Sequence, residues 1–285
     1  MTSRTHPLPQ QTWQSHWRAL MAVARKDWQT FLRYPFNAIS NIFQPIIWLT
    51  PVYYMGQAFS VNGKALGFAG YSGTTDYISF VLIGTLLNNF VDSVFWGMGY
   101  SLKNDMDAGV LESNWMTPTA RWILLVGRTF TRMFITSLSS LAILLIAALL
   151  FGFHPSGNAL AALAVMLPLL IGLYGFGIAF AAIVLMLRDA NAMVDMSSFM
   201  VGIFSGSSFP VQALPRWLMP VSLILPLTYG YDAVRGLLLR THTLLPLGAE
   251  VALLSVFMVA MIWLGVRVFD NLERKVRALG TLGQH

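Results

Sequence analysis

The run 159-ALAALAVMLPLLIGLYGFGIAFAAIVLML-187 contains no charged side chain, and a helix needs only about 20 apolar residues to cross the hydrocarbon of a bilayer. Its length and uniform apolarity predict a transmembrane helix. Working outward, comparable runs occupy Phe36 to Gly56, Tyr77 to Ser101 and Trp122 to Phe153 before it, then Val194 to a break at Pro210, and Leu245 to Phe269. Together they predict an all-α membrane protein with six transmembrane helices. The composition agrees: 56% of residues are hydrophobic and 11% charged, where a soluble domain carries about a quarter charged residues. The expected organisation is a tail and interfacial helix over residues 1–35, one transmembrane unit over 36–269 and a cytosolic tail over 270–285.

The chain has no cysteine, which excludes disulfide frameworks, thiolate nucleophiles and thiolate metal sites. A net charge of +6 raises nucleic acid as a partner, but the basic residues flank apolar runs and form no aromatic-interleaved patch. No nucleic-acid partner is expected. The cations read instead as topology signals. With six spans and an inside N-terminus, only Lys64, Arg216, Arg235 and Arg240 fall outside, so both termini are expected in the cytosol. The first 32 residues lack the apolar core and small-residue cleavage site of a signal peptide.

Before the first span, Trp17, Leu20, Met21, Ala24, Trp28 and Phe31 recur at spacings of three and four, the period of an amphipathic helix. Arg18, Arg25, Lys26, Asp27 and Arg33 fall mostly off that face. Such a helix suits the membrane surface, with tryptophan at headgroup level and cations toward anionic lipid.

Three further places carry unusual chemistry. Between spans two and three, 109-GVLESNWMTP-118 interrupts the apolar chain. Asn104 or Asp105 is suited to cap a short helix across residues 103–118, Leu111 and Trp115 share a face, and Pro118 resets the chain. After span five, Pro210, Pro215, Pro220 and Pro226 forbid one continuous helix in an otherwise apolar stretch. Residues 210–240 are therefore expected as short helices dipping back into the outer leaflet, since broken backbone at membrane depth must be buried in protein or line water. Finally, Asp92 and Arg132 lie at similar depth in spans two and three and are expected to pair. Asn88, Asn89, Asn41 and Gln44 are expected to join helices by hydrogen bonds.

The segments "RKDWQTFLRYPFNAISNIFQPIIW", "DMDAGVLESNWMTPTARWILLVGR" and "FPVQALPRWLMPVSLILPLTYGYDAVRGLLL" together resemble permease subunits of type-2 ATP-binding-cassette exporters, in order and spacing over nearly the whole chain. The middle segment is similar to that family's G-T-L-E…T-P coupling motif at Gly109, Leu111, Glu112, Thr117 and Pro118, with Val110 departing from it. The resemblance implies a coupling helix seated on a separate ATPase subunit. Leu111, Glu112 and Trp115 would contact it, with Arg25, Asp27 and Arg33 of the N-terminal helix alongside. It also implies an outer gate at Pro210, Pro215, Pro226, Thr228, Tyr229 and Arg235, although Leu225 stands where relatives often carry asparagine. A second permease copy or a related partner would complete the pore.

The chain has no G-x-x-x-x-G-K-[ST] loop, so no cofactor is expected in it, and ATP and magnesium would sit on the partner. The resulting expectation is a non-catalytic subunit of a multi-pass bacterial inner-membrane exporter for a hydrophobic or amphipathic small molecule or lipid. A lipid-linked glycan exporter and an ion-coupled transporter are the alternatives. An intramembrane serine hydrolase using Ser205, Ser207 or Ser208 with Asp232 and His242 lacks a nucleophile elbow.

Overall fold

The computed structural model describes residues 13–61, 64–109, 113, 121–153, 156–185 and 190–279. The described residues are 84% helical, with no strand among them. The helices are α1 (Trp13–Arg33), α2 (Pro35–Ala58), α3 (Leu66–Ser72), α4 (Tyr77–Asp92), α5 (Ser101–Asp107), α6 (Arg121–Phe151), α7 (Ala159–Leu185), α8 (Ala190–Phe204), α9 (Met219–Ile224), α10 (Pro226–Leu239) and α11 (Leu247–Leu279). A π-helical turn over Ser93–Gly99 continues α4, and a short 3₁₀ turn spans Val211–Ala213.

Among the described residues, four helical stretches are long and apolar enough to cross a membrane: Tyr77–Asp107, Val126–Phe151, Ala159–Val184 and Leu247–Asn271. They coincide with expected spans two, three, four and six. The region of the first expected span is the continuous helix α2, which runs through both Pro45 and Pro51. Expected span five is the 15-residue α8. It stops where Gly206 takes a left-handed conformation (φ 74°) before Pro210, which ends the backbone ladder.

α7 lies at the centre. Its glycines set the packing distance: a β-carbon on Gly172 would meet Phe257 at 2.7 Å, and one on Gly175 would meet the Ile262 nitrogen at 2.8 Å. The backbones of α7 and α11 therefore approach as closely as small residues in membrane helices allow. On another face, Gly177 admits Val94 and Met98 of the π turn. The buried core includes Leu82, Ile83, Phe95, Met98, Leu169, Leu173, Tyr231 and Leu254. By contrast Phe36, Phe43, Ile47, Trp48 and Tyr54 on α2 are exposed, an apolar outer face compatible with lipid.

α1 packs along the start of α6. Thr131 Oγ1 donates to the Ala24 carbonyl at 3.4 Å, and Trp28 meets Phe134 edge to face at 5.6 Å. The amphipathic face expected from the sequence is thus divided: Ala24 and Trp28 turn toward α6, while Trp17 and Met21 stay exposed.

Two sequence expectations require correction. Asp105 is not a helix cap but lies within α5, where it pairs with Arg128 of α6. Asp92 and Arg132 do not form an ion pair. The carboxylate of Asp92 is taken by Asn88 and Ser198, whereas Arg132 lies beside Gly97, its Cδ 3.3 Å from where a β-carbon there would sit. Equal depth was not sufficient, because Asn89 and Ser93 face α6 whereas Asp92, between them, turns toward Ser198 of α8.

Candidate functional site

Three groups of residues occupy the positions that the sequence singled out. The first lies where α1, α5 and α6 meet. Arg128 grips Asp105 with two hydrogen bonds, Nη1 to Oδ2 at 2.8 Å and Nη2 to Oδ1 at 3.1 Å, the forked geometry that makes Arg–carboxylate pairs strong and directional. Lys103 and Asp107 add an i,i+4 pair at 3.1 Å along α5. Beyond α5 the chain turns at Gly109, whose φ is 67°, a conformation that costs glycine nothing. Leu111, Glu112, Trp115, Thr117 and Pro118 lie outside the described residues. Arg25 and Arg33 are exposed on α1, while Asp27 is half-buried within electrostatic reach of Arg128. Burial raises the Asp27 carboxyl above its ordinary range despite the attraction of Arg128.

The second group is built around Arg235 of α10, which is 3% exposed. Its Nε donates to the Phe80 carbonyl at 3.1 Å, Nη1 to the Gly206 carbonyl at 2.7 Å, and Nη2 to the Ser207 carbonyl. The guanidinium sits 3.6 Å from the Phe80 ring centroid. A buried cation needs such satisfaction, and here one side chain ties α4, the end of α8 and α10 together. Gly84 makes the arrangement possible, because a β-carbon there would overlap the Ser207 carbonyl and the guanidinium.

The proline-broken segment is stitched by hydroxyls. α9 and α10 meet at Leu225–Pro226, and Thr228 Oγ1 donates back to the Ser222 carbonyl at 2.6 Å while Tyr229 OH donates to the Leu223 carbonyl at 2.9 Å. Both carbonyls lie in the last turn of α9, where helical donors run out, and the Ser222 carbonyl also accepts from the Leu225 amide at 3.1 Å. Pro210 is buried and Pro215 exposed. Nearby, Asp232 accepts from the Leu244 amide, and fully buried Glu250 accepts from the Leu245 amide at 3.2 Å. Ser205, Asp232 and His242 line one crevice. Ser205 Oγ nevertheless has no hydrogen-bond partner there, so the serine–histidine contact that a hydrolase needs is not made.

The third group is a polar stripe along α4 and its π extension. Thr85, Asn88, Asn89, Asp92, Ser93 and Trp96 remain partly or fully exposed while Leu82, Ile83, Leu87, Val91, Val94 and Phe95 are buried. Asn89 donates to Ser140 at 3.5 Å and Thr136 to Ser93 at 3.0 Å, linking the stripe to α6. Asn88 Nδ2 donates to Asp92 Oδ2 at 3.0 Å, and Ser198 of α8 donates to Asp92 Oδ1. Gly202 lets α8 come this close, since a β-carbon there would meet Asn88 Oδ1 at 2.9 Å. The expected interhelical role thus falls to Asn89 and to Asn88, whose Oδ1 accepts from Tyr231 OH of α10 at 3.5 Å while its Nδ2 serves Asp92; Asn41 and Gln44 stay exposed on α2.

Sequence reasoning named Arg235, Thr228 and Tyr229 but not Phe80, Gly84 and Gly206 around Arg235, and it named Ser207 only as a hydrolase candidate; Ser222, Leu223, Ser198 and Glu250 were not named. Glu250 had a legible signal, being an acid at the head of an apolar run. The carbonyl partners had none, because any residue supplies a carbonyl. Among the described residues, no three His, Asp or Glu side chains converge as metal ligands would.

No curated protein matches the chain. A family model described as ABC-2 type transporter matches residues 18–239, from α1 to the end of α10.

Proposed function

The chain belongs to the ABC-2 type transporter family, and on that premise we propose that it is the permease of an exporter that carries a hydrophobic or amphipathic small molecule or lipid outward. The family's membrane domain is a transport component rather than a catalytic domain, and it works with an ABC ATPase subunit. In this reading ATP and magnesium are held by that subunit, and a second permease copy or a related chain forms the other half of the pore. Residues 36–269 make a single six-span unit in a bacterial inner membrane, and the tails over 1–35 and 270–285 lie in the cytosol.

The observation that carries the reading is the bidentate Arg128–Asp105 link between α5 and α6, with α1 packed on the same stretch of α6. A force delivered to α5, or to α1 at Arg25, Asp27 and Arg33, would reach the spanning helix α6 through these contacts. ATP-driven closure of the ATPase subunits would then switch access to the path. Residues 210–240, latched by Arg235, would close its outer end.

The test is capture of the complex through this chain from gently solubilised membranes, comparing the intact protein with Glu112→Arg. The expected result is recovery of an ATP-hydrolysing subunit, with capture or turnover lost in the variant. Unchanged turnover in Glu112→Arg removes the coupling assignment. Transport that survives ATP depletion and collapses with the proton gradient transfers the case to the ion-coupled alternative.

A further inference from the structure

Asp92 is an acid within a spanning helix, and among the described residues no Arg, Lys or His lies within ion-pair distance of it. Ionisable groups at such depth ordinarily find a charged partner. Both Asp92 oxygens are instead held by neutral donors, Asn88 and Ser198. Asn88 is placed in turn by Tyr231 OH at 3.5 Å, and Ser198 is 6% exposed. Three helices therefore position this carboxylate without neutralising it.

The surroundings of Asp92 have the matching character. Trp96, one turn further along the same stripe, is 40% exposed and lies 5.8 Å from the Tyr100 ring. Aromatic faces attract cations, tryptophan most strongly. On α8, Asp195 is exposed one turn before Ser198. Arg132 is the cation to be weighed against this. It lies beside Gly97, within electrostatic reach of Asp27 and Tyr174, and forms no ion pair with Asp92.

We infer that Asp92, with Trp96 beside it, is a recognition site for the cationic head of a lipophilic substrate such as a quaternary ammonium or phosphonium ion. This inference rests on the exporter reading and narrows its substrate class. The cation supplies the charge that the protein withholds from Asp92, and the uncovered apolar helix faces accept its hydrocarbon part. An anion of the same size and shape meets the same apolar surface but is repelled by the carboxylate.

The test is equilibrium binding to the full-length chain in lipid nanodiscs, with tetraphenylphosphonium as probe and tetraphenylborate as its anionic counterpart. Phosphonium binding is expected to weaken tenfold or more in Asp92→Asn, to be largely kept in Asp92→Glu and to weaken several-fold in Trp96→Leu. In the unmodified protein it should fall on acidification as the carboxylate takes a proton. Borate binding should be indifferent to Asp92. Absence of phosphonium binding, equal affinity in Asp92→Asn with unaltered melting, or a preference for borate overturns the inference. Should Asp92→Asn fail to fold, the acid titration of the unmodified protein decides. No ATPase partner is needed for binding, so failure here and failure of the capture experiment are separate results.

Discussion

The guanidinium of Arg235 lies 3.6 Å from the ring centroid of Phe80 and donates at 3.1 Å to the carbonyl of the same residue. One residue on α4 thus meets both the face and the plane of the cation, and the remaining nitrogens bind the end of α8. Arg235→Leu leaves the carbonyls of Gly206 and Ser207 without their donor, and the Phe80 carbonyl, inside α4, with its helical bond alone. Each unsatisfied buried group costs about 1–3 kcal/mol, so a large loss of thermal stability is expected in detergent. Arg235→Lys should recover only part of it, because an ammonium cannot reproduce the planar fork.

Gly84→Ala should approach the effect of Arg235→Leu. The new methyl group falls on the Ser207 carbonyl and the guanidinium, and forced overpacking costs about 1–3 kcal/mol. Since both changes break the same latch, the double variant should melt well above the temperature expected from adding the two losses. Strict additivity in the melting measurements would show that Gly84 and Arg235 act independently.

Asp105 and Arg128 should show coupling by double-mutant cycle. Both are partly buried and doubly hydrogen-bonded, and hydrogen bonds to charged groups contribute about 1.5–3 kcal/mol. Each single alanine variant is expected to reduce the ATPase turnover of the captured complex, and the exchange Asp105→Arg with Arg128→Asp to restore part of it. Turnover that ignores the single changes would remove this contact from the transmission path.

Thr228→Val should destabilise the chain more than Tyr229→Phe. Both hydroxyls close the break between α9 and α10, but Thr228 and its Ser222 partner are fully buried, whereas Tyr229 is partly exposed and water can replace its bond. The Ser222 carbonyl keeps the Leu225 amide as donor, so the expected cost for Thr228→Val is about 0.5–1.5 kcal/mol, read as a lower melting temperature in nanodiscs.

Asp27 supplies a pH prediction. Its carboxyl is raised from 3.8, chiefly by burial and against the pull of Arg128. The folded protein therefore keeps a proton that the unfolded chain has already released, so this group's favourable contribution is complete below the ordinary carboxylate range. It is lost as pH rises through the raised value. Asp27→Asn should accordingly melt higher than the unmodified protein near neutral pH, and the difference should shrink on acidification toward pH 3.8. A gap that widens in acid would reverse the sign.

Much of the architecture was legible from one dimension because lipid imposes a simple rule. Apolar runs such as Ala159 to Leu187 have no stable place in water, and in hydrocarbon their backbone is satisfied as helix. The break after Phe204 was legible for the complementary reason, as the prolines remove backbone donors. The pairing of polar side chains was much harder to read. Asp92 and Arg132 stand at matching depths, but depth leaves rotation about the helix axis free. In the folded chain Asn89 and Ser93 face α6, and Asp92 turns to Ser198 of α8.

From residue order alone came the all-helical membrane class, four of the spanning stretches, the amphipathic first helix and the broken segment before α11, all consequences of local composition and period. Only the tertiary structure decided that Arg235 is a buried latch, that Gly84 and Gly202 are spaces for a neighbour's polar atoms, and that Asp92 has neutral partners. Those facts depend on which backbone carbonyl or hydroxyl a distant helix brings near. Hydropathy places a residue along the membrane normal, and the packing of helices fixes what it touches.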